Sequence, residues 1–126
     1  MIVADNVFRE EGNRKVHIAG TFNLISASTF PARHDSMCLY LAVTNVPTGE
    51  HLVRIVFSYL GSEEEELFRA EGPIRSESPL GVTEIVMDFK QVVFPKPGVM
   101  EISFHLGDEF VRRRTLKIRQ TGESVE

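Results

Sequence analysis

The chain has 126 residues, 42% of them hydrophobic and 25% charged, a globular composition that excludes disorder for the body of the chain. This length suits one domain and leaves too little for two. The net charge of −4 counts against a nucleic-acid binder, which needs a basic face to neutralise phosphate, and the single cysteine, Cys38, excludes an intramolecular disulfide.

An acid at Asp5 and the polar residues after it make residues 1–10 unlike a secretory leader. No apolar run approaches the roughly 18 residues of a membrane span. The expectation is a cytoplasmic protein with no membrane partner.

Along the chain the dominant signal is alternation with period two, the mark of half-buried strands. Residues 10–14, Glu-Glu-Gly-Asn-Arg, form a hairpin loop after a first strand containing Ala4 and Asp5. Val16, Ile18, Gly20, Phe22 and Leu24 then share one face, opposed by His17, Ala19, Thr21 and Asn23. Residues 37–45 are apolar on both faces and predict a central, covered strand. Val46-Pro47-Thr48-Gly49-Glu50 reads as a longer hairpin loop.

The next strand, residues 51–60, turns Val53, Ile55, Phe57 and Tyr59 inward and Arg54 and Ser58 outward. Helical periodicity is weak throughout; residues 62–70 are the best helix candidate, and they read instead as a turn followed by a short strand over 66–71. Thr83, Ile85, Met87 and Phe89 oppose Glu84 and Asp88. Two prolines in residues 94–98, Phe-Pro-Lys-Pro-Gly, lack N–H donors and predict an extended connector. Met100, Ile102, Phe104 and Leu106 oppose Glu101, Ser103 and His105, and Gly107-Asp108 marks a tight hairpin into the last strand.

That last strand holds a conflict. Phe110, Leu116 and Ile118 share a parity with Arg112 and Arg114, so a strict pleat points two arginines along the core face. Either a bulge near residues 112–114 shifts the phase, or the strand runs past the edge of the core. Residues 120–126 read as a disordered polar tail. The expected fold is all-β: an antiparallel β-sandwich of about seven strands, of the immunoglobulin-like Greek-key kind, over residues 1–119. With no tryptophan in the chain, the Cys…Trp…Cys pattern of true immunoglobulin domains is absent and the likeness is architectural.

Three stretches also carry a resemblance: Ala4-Asp5 with residues 16–25, Val-His-Ile-Ala-Gly-Thr-Phe-Asn-Leu-Ile; Phe30-Pro31; and residues 94–104, Phe-Pro-Lys-Pro-Gly-Val-Met-Glu-Ile-Ser-Phe. Together they make the chain similar, over residues 1 to about 119, to a family of small bacterial proteins known as a domain of unknown function. The resemblance implies an intact, stand-alone β-sandwich, with no activity and no site residues to carry over.

Few residues suggest chemistry. His34-Asp35-Ser36 contains the residue types of a hydrolytic triad, but triad members meet from distant points of a chain, and consecutive residues fit a turn before the strand at Met37 better. His17, His34, His51 and His105 lack metal-ligand spacing, and His17 and His105 fall on outward faces. Cys38, in the most apolar strand, reads as a buried, unreactive thiol. No metal and no cofactor is expected.

Two charged segments remain: Glu63, Glu64, Glu65 and Glu66, and the basic strand bearing Arg112, Arg113, Arg114, Lys117 and Arg119. The glutamates suit a solvated loop or an acidic docking surface. The basic residues suit an edge strand whose charges block edge-to-edge pairing, or a contact for an acidic partner such as the glutamate loop of another copy. Nucleic acid is disfavoured, because only Phe110 supplies an aromatic nearby. The favoured function is a non-enzymatic protein–protein interaction or scaffolding module, including a homo-oligomer. The alternative is a small-ligand or carbohydrate-binding domain using the loop end of the sandwich, where Tyr40, Tyr59, Phe22 and Phe30 are available. An enzyme ranks third.

Overall fold

Alternating apolar residues become strands almost throughout the protein. The computed structural model describes residues 1–62 and 65–121. Among them lie nine strands: β1 (Ile2–Arg9), β2 (Val16–Thr21), β3 (Leu24–Ala27), β4 (Ala32–Thr44), β5 (Gly49–Tyr59), β6 (Glu66–Ser76), β7 (Val82–Phe94), β8 (Gly98–Leu106) and β9 (Glu109–Gln120). They form two sheets, of order β2-β1-β4-β7 and β3-β9-β8-β5-β6. Every pairing is antiparallel except β3 with β9, which is parallel.

The expected seven strands become nine partly because the alternation over residues 16–24 spans two elements. Thr21 still pairs with Ala4 in the smaller sheet, but Gly20 has φ 76° and the chain turns away behind it. Leu24 then pairs with Lys117 in the larger sheet. The inward parity changes with the sheet: in β3 it is Ile25 that enters the core while Leu24 is exposed, and Val16 and Ile18 pack on a separate small cluster with Ala4, Val7 and Cys38.

Residues 46–50 are not a hairpin loop. The strands on either side, β4 and β5, belong to different sheets, so this connection crosses the sandwich. It is pinned from below, since the buried hydroxyl of Ser76 donates to the carbonyl of Val46 at 2.8 Å. The short strand expected over 66–71 continues to Ser76 through Gly72 and Pro73. Proline is tolerated there because β6 is the outermost strand of its sheet. His34, Asp35 and Ser36 lie inside β4 rather than in a turn before it.

The inner faces of the two sheets share one apolar core. The smaller sheet supplies Val3, Met37, Leu39, Leu41, Ile85 and Phe89, and the larger Val53, Ile55, Phe57, Met100, Ile102, Phe104, Leu116 and Ile118. β4 and β7 change phase together. Inward residues are odd-numbered from Met37 to Leu41 and from Ile85 to Phe89, whereas Ala32, Val92 and Phe94 are the buried ones at the other end. The register between them is unchanged, so the shift falls at Asp35 and at Gln91, whose φ is 54°.

The conflict in β9 resolves through a bulge that turns Phe110 outward. Phe104 pairs with Arg112 but His105 pairs with Phe110, which leaves Val111 as the extra residue of a bulge just before the arginines. Beyond it Arg112, Arg114, Leu116 and Ile118 do share the inner parity, with Arg112 and Arg114 paired to the core residues Phe104 and Ile102. Arg114 is partly buried there and bends across to the other sheet, donating to the Met1 carbonyl at 3.2 Å and the Asn23 side-chain oxygen at 2.6 Å. Gln120, placed in the expected tail, ends β9 paired with Ala27; residues 122–126 lie outside the described residues.

Candidate functional site

The outer face of the larger sheet carries the most polar concentration of side chains. Its outward positions fall in rows across β9, β8, β5 and β6. One row runs Thr115, Glu101, Ser58, Glu66. The next runs Arg113, Ser103, Val56, Arg69. The third runs Phe110, His105, Arg54, Glu71. Small residues occupy the middle of the sheet and long ones its flanks, which leaves an open trough of about 420 Å³ lined by Arg54, Arg69, Arg113, Glu66, Glu101 and His105, with Val56, Ser58 and Ser103 as floor and Phe110 at one end.

Most charges in the trough are already paired. Glu101, only 7% exposed, receives both its bonds from Arg113 Nη1 at 3.2 Å. Arg69 is paired with Glu66 and, at 3.3 Å, with Glu71. The bond from Arg69 holds the Glu66 carboxyl below the usual carboxylate range. Because Glu71 turns to Arg69, its cross-strand neighbour Arg54 is left over: the Arg54 Nε is buried and has no hydrogen-bond partner among the described residues.

His105 sits beside this orphan. Its Nε2 lies 3.1 Å from the Ser103 hydroxyl, and its ring meets Phe110 edge-on at 5.6 Å. Burial, then the positive charges of Arg54 and Arg69, push its pKa below the ordinary histidine value, while Glu66 pulls the other way. The trough is therefore a preassembled set of guanidinium, imidazole and hydroxyl donors with one arginine, Arg54, in excess over its two lining carboxylates.

The basic strand does not act as one surface. Arg113 points outward into the trough, as a lining residue. Lys117 and Arg119 share its outward parity, and Arg119 bonds the Ser26 hydroxyl at 3.0 Å. Arg112 and Arg114 take the opposite, inner parity. β9 is an edge only in part: Lys117 to Gln120 are covered by β3, whereas Arg112, Arg113 and Arg114 lie on the uncovered stretch. Of the glutamate segment, Glu66 joins Arg113 in lining the trough, Glu65 is exposed, and Glu63 and Glu64 lie outside the described residues.

Arg54, Ser58, Glu101, Ser103 and His105 were legible as outward residues, but nothing in a single strand's pattern reveals that β5, β8 and β9 are neighbours. Read as solvated, His105 is in fact half-buried. Elsewhere the reading of Cys38 holds: it is 2% exposed, its thiol donates to Asp88 Oδ1 at 2.7 Å, and burial followed by that bond pushes its pKa up. No group of three or more histidine, cysteine or acidic side chains that could hold a metal ion occurs among the described residues, nor does any helix long and apolar enough to cross a membrane.

Fold and surface together define an all-β protein of two packed sheets with a polar trough on the outside of the larger one. The family model of DUF6941, a family of unknown function, matches residues 1–119, and the chain belongs to that family. No curated protein matches the sequence.

Proposed function

We propose that this protein is a non-enzymatic binding module that takes a carboxylate-rich segment of a protein partner along the trough of the larger sheet. The observation that carries this reading is Arg54: a guanidinium whose buried Nε has no hydrogen-bond partner among the described residues, beside Arg69 and Arg113, which are paired with carboxylates. A buried unpaired donor costs stability, and a partner's carboxylate that draws the Arg54 side chain outward into the trough relieves that cost, with the fork geometry that guanidinium and carboxylate share. Val56 in the floor and half-exposed Phe110 at the end offer apolar contact beside the charge. An open groove crossing four strands suits an extended segment better than an enclosed small molecule. Lys117 and Arg119 continue the positive character along β9.

The scaffold reading extends to architecture. We read the connectivity as one domain of immunoglobulin-like Greek-key type, supported by the crossings from β4 to β5 and from β6 to β7 and by the parallel β3–β9 pair. The free thiol of Cys38 supports a reducing compartment such as the cytoplasm.

The test is a titration of the protein with a hexaglutamate peptide at low salt, followed by NMR of the Arg54 Nε–H and His105 ring signals. Both signals are expected to move together, and Arg54→Gln is expected to weaken binding by about tenfold or more. Added salt is expected to weaken it further. Unmoved signals at about 1 mM peptide, the weakest affinity useful to a module, would overturn the reading. Equal response to free acetate would replace the protein segment with a small carboxylate ligand.

A further inference from the structure

Sheet edges invite pairing with other chains, and proteins blunt them with short strands, prolines, kinks or covering segments. Three of the four edges here are blunted in this way. β3 has only four residues, and the stretch of β9 it leaves uncovered carries the Val111 bulge and three arginines; β2 has six and bends at Gly20, and β6 carries Gly72-Pro73 in its middle. The fourth edge, β7, is different. It spans 13 residues, pairs only with β4, and from Val82 to Lys90 holds neither proline nor a positive φ. The seam between β7 and β6, the other sheet's edge, stays open, with hollows of about 410 and 280 Å³ lined by Phe68, Phe89, Ile74, Ile85 and Met87 among others. Val82 and Val86 are exposed on the same strand.

We propose that the free edge of β7 pairs antiparallel with β7 of a second copy, about a two-fold axis at Met87, joining two four-stranded sheets into one of eight. The occupant follows from the charge pattern. An antiparallel two-fold pairing keeps side chains on their own faces, so the axis must pass through a residue position. Centred on Val86, Glu84 faces Asp88 of the second copy. Centred on Asp88, that carboxylate faces itself. Centred on Ile85, Glu84 faces Val86 and no charges are matched. Registers further along run across the kink at Gln91. Centred on Met87, Glu84, which within its own chain also receives Arg9 at 3.2 Å and the Tyr40 hydroxyl, faces Lys90 in both directions, Val86 lies against Asp88, and Ile85 lies against Phe89 on the inner side. The strand's mixed charges are thus self-complementary in the one register that also uses its straight portion. This surface lies on the opposite sheet from the trough, so either can operate without the other.

The register is tested by Met87→Cys. Across the axis the two substituted residues face each other at roughly 4.5–5.5 Å between Cα atoms, within disulfide range. Under mild oxidation this variant is expected to become a covalent dimer, and Val86→Cys, whose neighbour across the pair is Asp88, to lag far behind. The unmodified protein is expected to sediment as a dimer at micromolar concentration. Lys90→Glu, at an exposed position whose side chain bonds only the Ser36 hydroxyl among the described residues, should weaken that dimer about tenfold by opposing like charges, while leaving hexaglutamate binding unchanged. A protein that stays monomeric at about 1 mM overturns the proposal. So does a dimer indifferent to Lys90→Glu in which Met87→Cys fails to cross-link.

Discussion

Arg54 and His105 lie directly across from one another on adjacent strands of the larger sheet, and the arginine's charge helps keep the histidine neutral. Burial is the larger cause and Arg69 adds to it. The folded pKa of His105 is therefore lowered below that of the unfolded chain. Below about pH 6.5 the unfolded state binds a proton that the folded state resists. Stability contributed by this group is thus full above the unfolded pKa, falls as pH drops through it, and levels off below the folded pKa. Arg54→Gln should raise the His105 pKa, as an NMR titration of the ring protons would read. Binding of a carboxylate segment should raise it as well, which makes the trough's affinity greater at mildly acidic pH. A histidine titrating at the same pH in the variant would show that Arg54 exerts no field on it.

The thiol of Cys38 faces a carboxylate across the β4–β7 ladder. Burial and the bond to Asp88 both disfavour the thiolate, the species that reacts. The native protein should therefore resist an aromatic disulfide reagent at pH 8 and react fully once unfolded by guanidinium. Asp88→Asn, which removes the nearby negative charge, should speed native-state labelling only modestly, because burial is the leading cause. Rapid labelling of the native protein would contradict the buried placement.

How far the sequence foretells this structure depends on what each strand's pattern can record. Inward and outward sets in β5, β7 and β8 are read correctly because their alternation is unbroken over the relevant residues. The loop at 46–50 misleads, since Pro-Thr-Gly chemistry is the same whether the next strand pairs with the last or crosses to the other sheet. Arg114 looks misplaced on an inner parity until its partners appear, and these are Met1 and Asn23, distant in the chain and on other elements. The trough is illegible for the same reason. Its rows draw single residues from four strands, so it exists only once the order β9-β8-β5-β6 is known.

Glu101 is the acid that the trough could least afford to leave alone. It is nearly buried, and Arg113 reaches both of its oxygens while remaining largely exposed itself. Removing the arginine strands a carboxylate away from water, whereas removing both charges leaves two neutral side chains. Arg113→Met should therefore destabilise the fold by about 1–2 kcal/mol, less than a fully buried pair because solvent screens the guanidinium. Adding Glu101→Gln to that variant should recover part of the loss rather than add to it. A double-mutant cycle by urea denaturation measures the coupling directly. Strictly additive losses would mean that the two side chains are not coupled, and would remove Arg113 from the set of paired charges, leaving the trough with two free guanidinium groups in place of one.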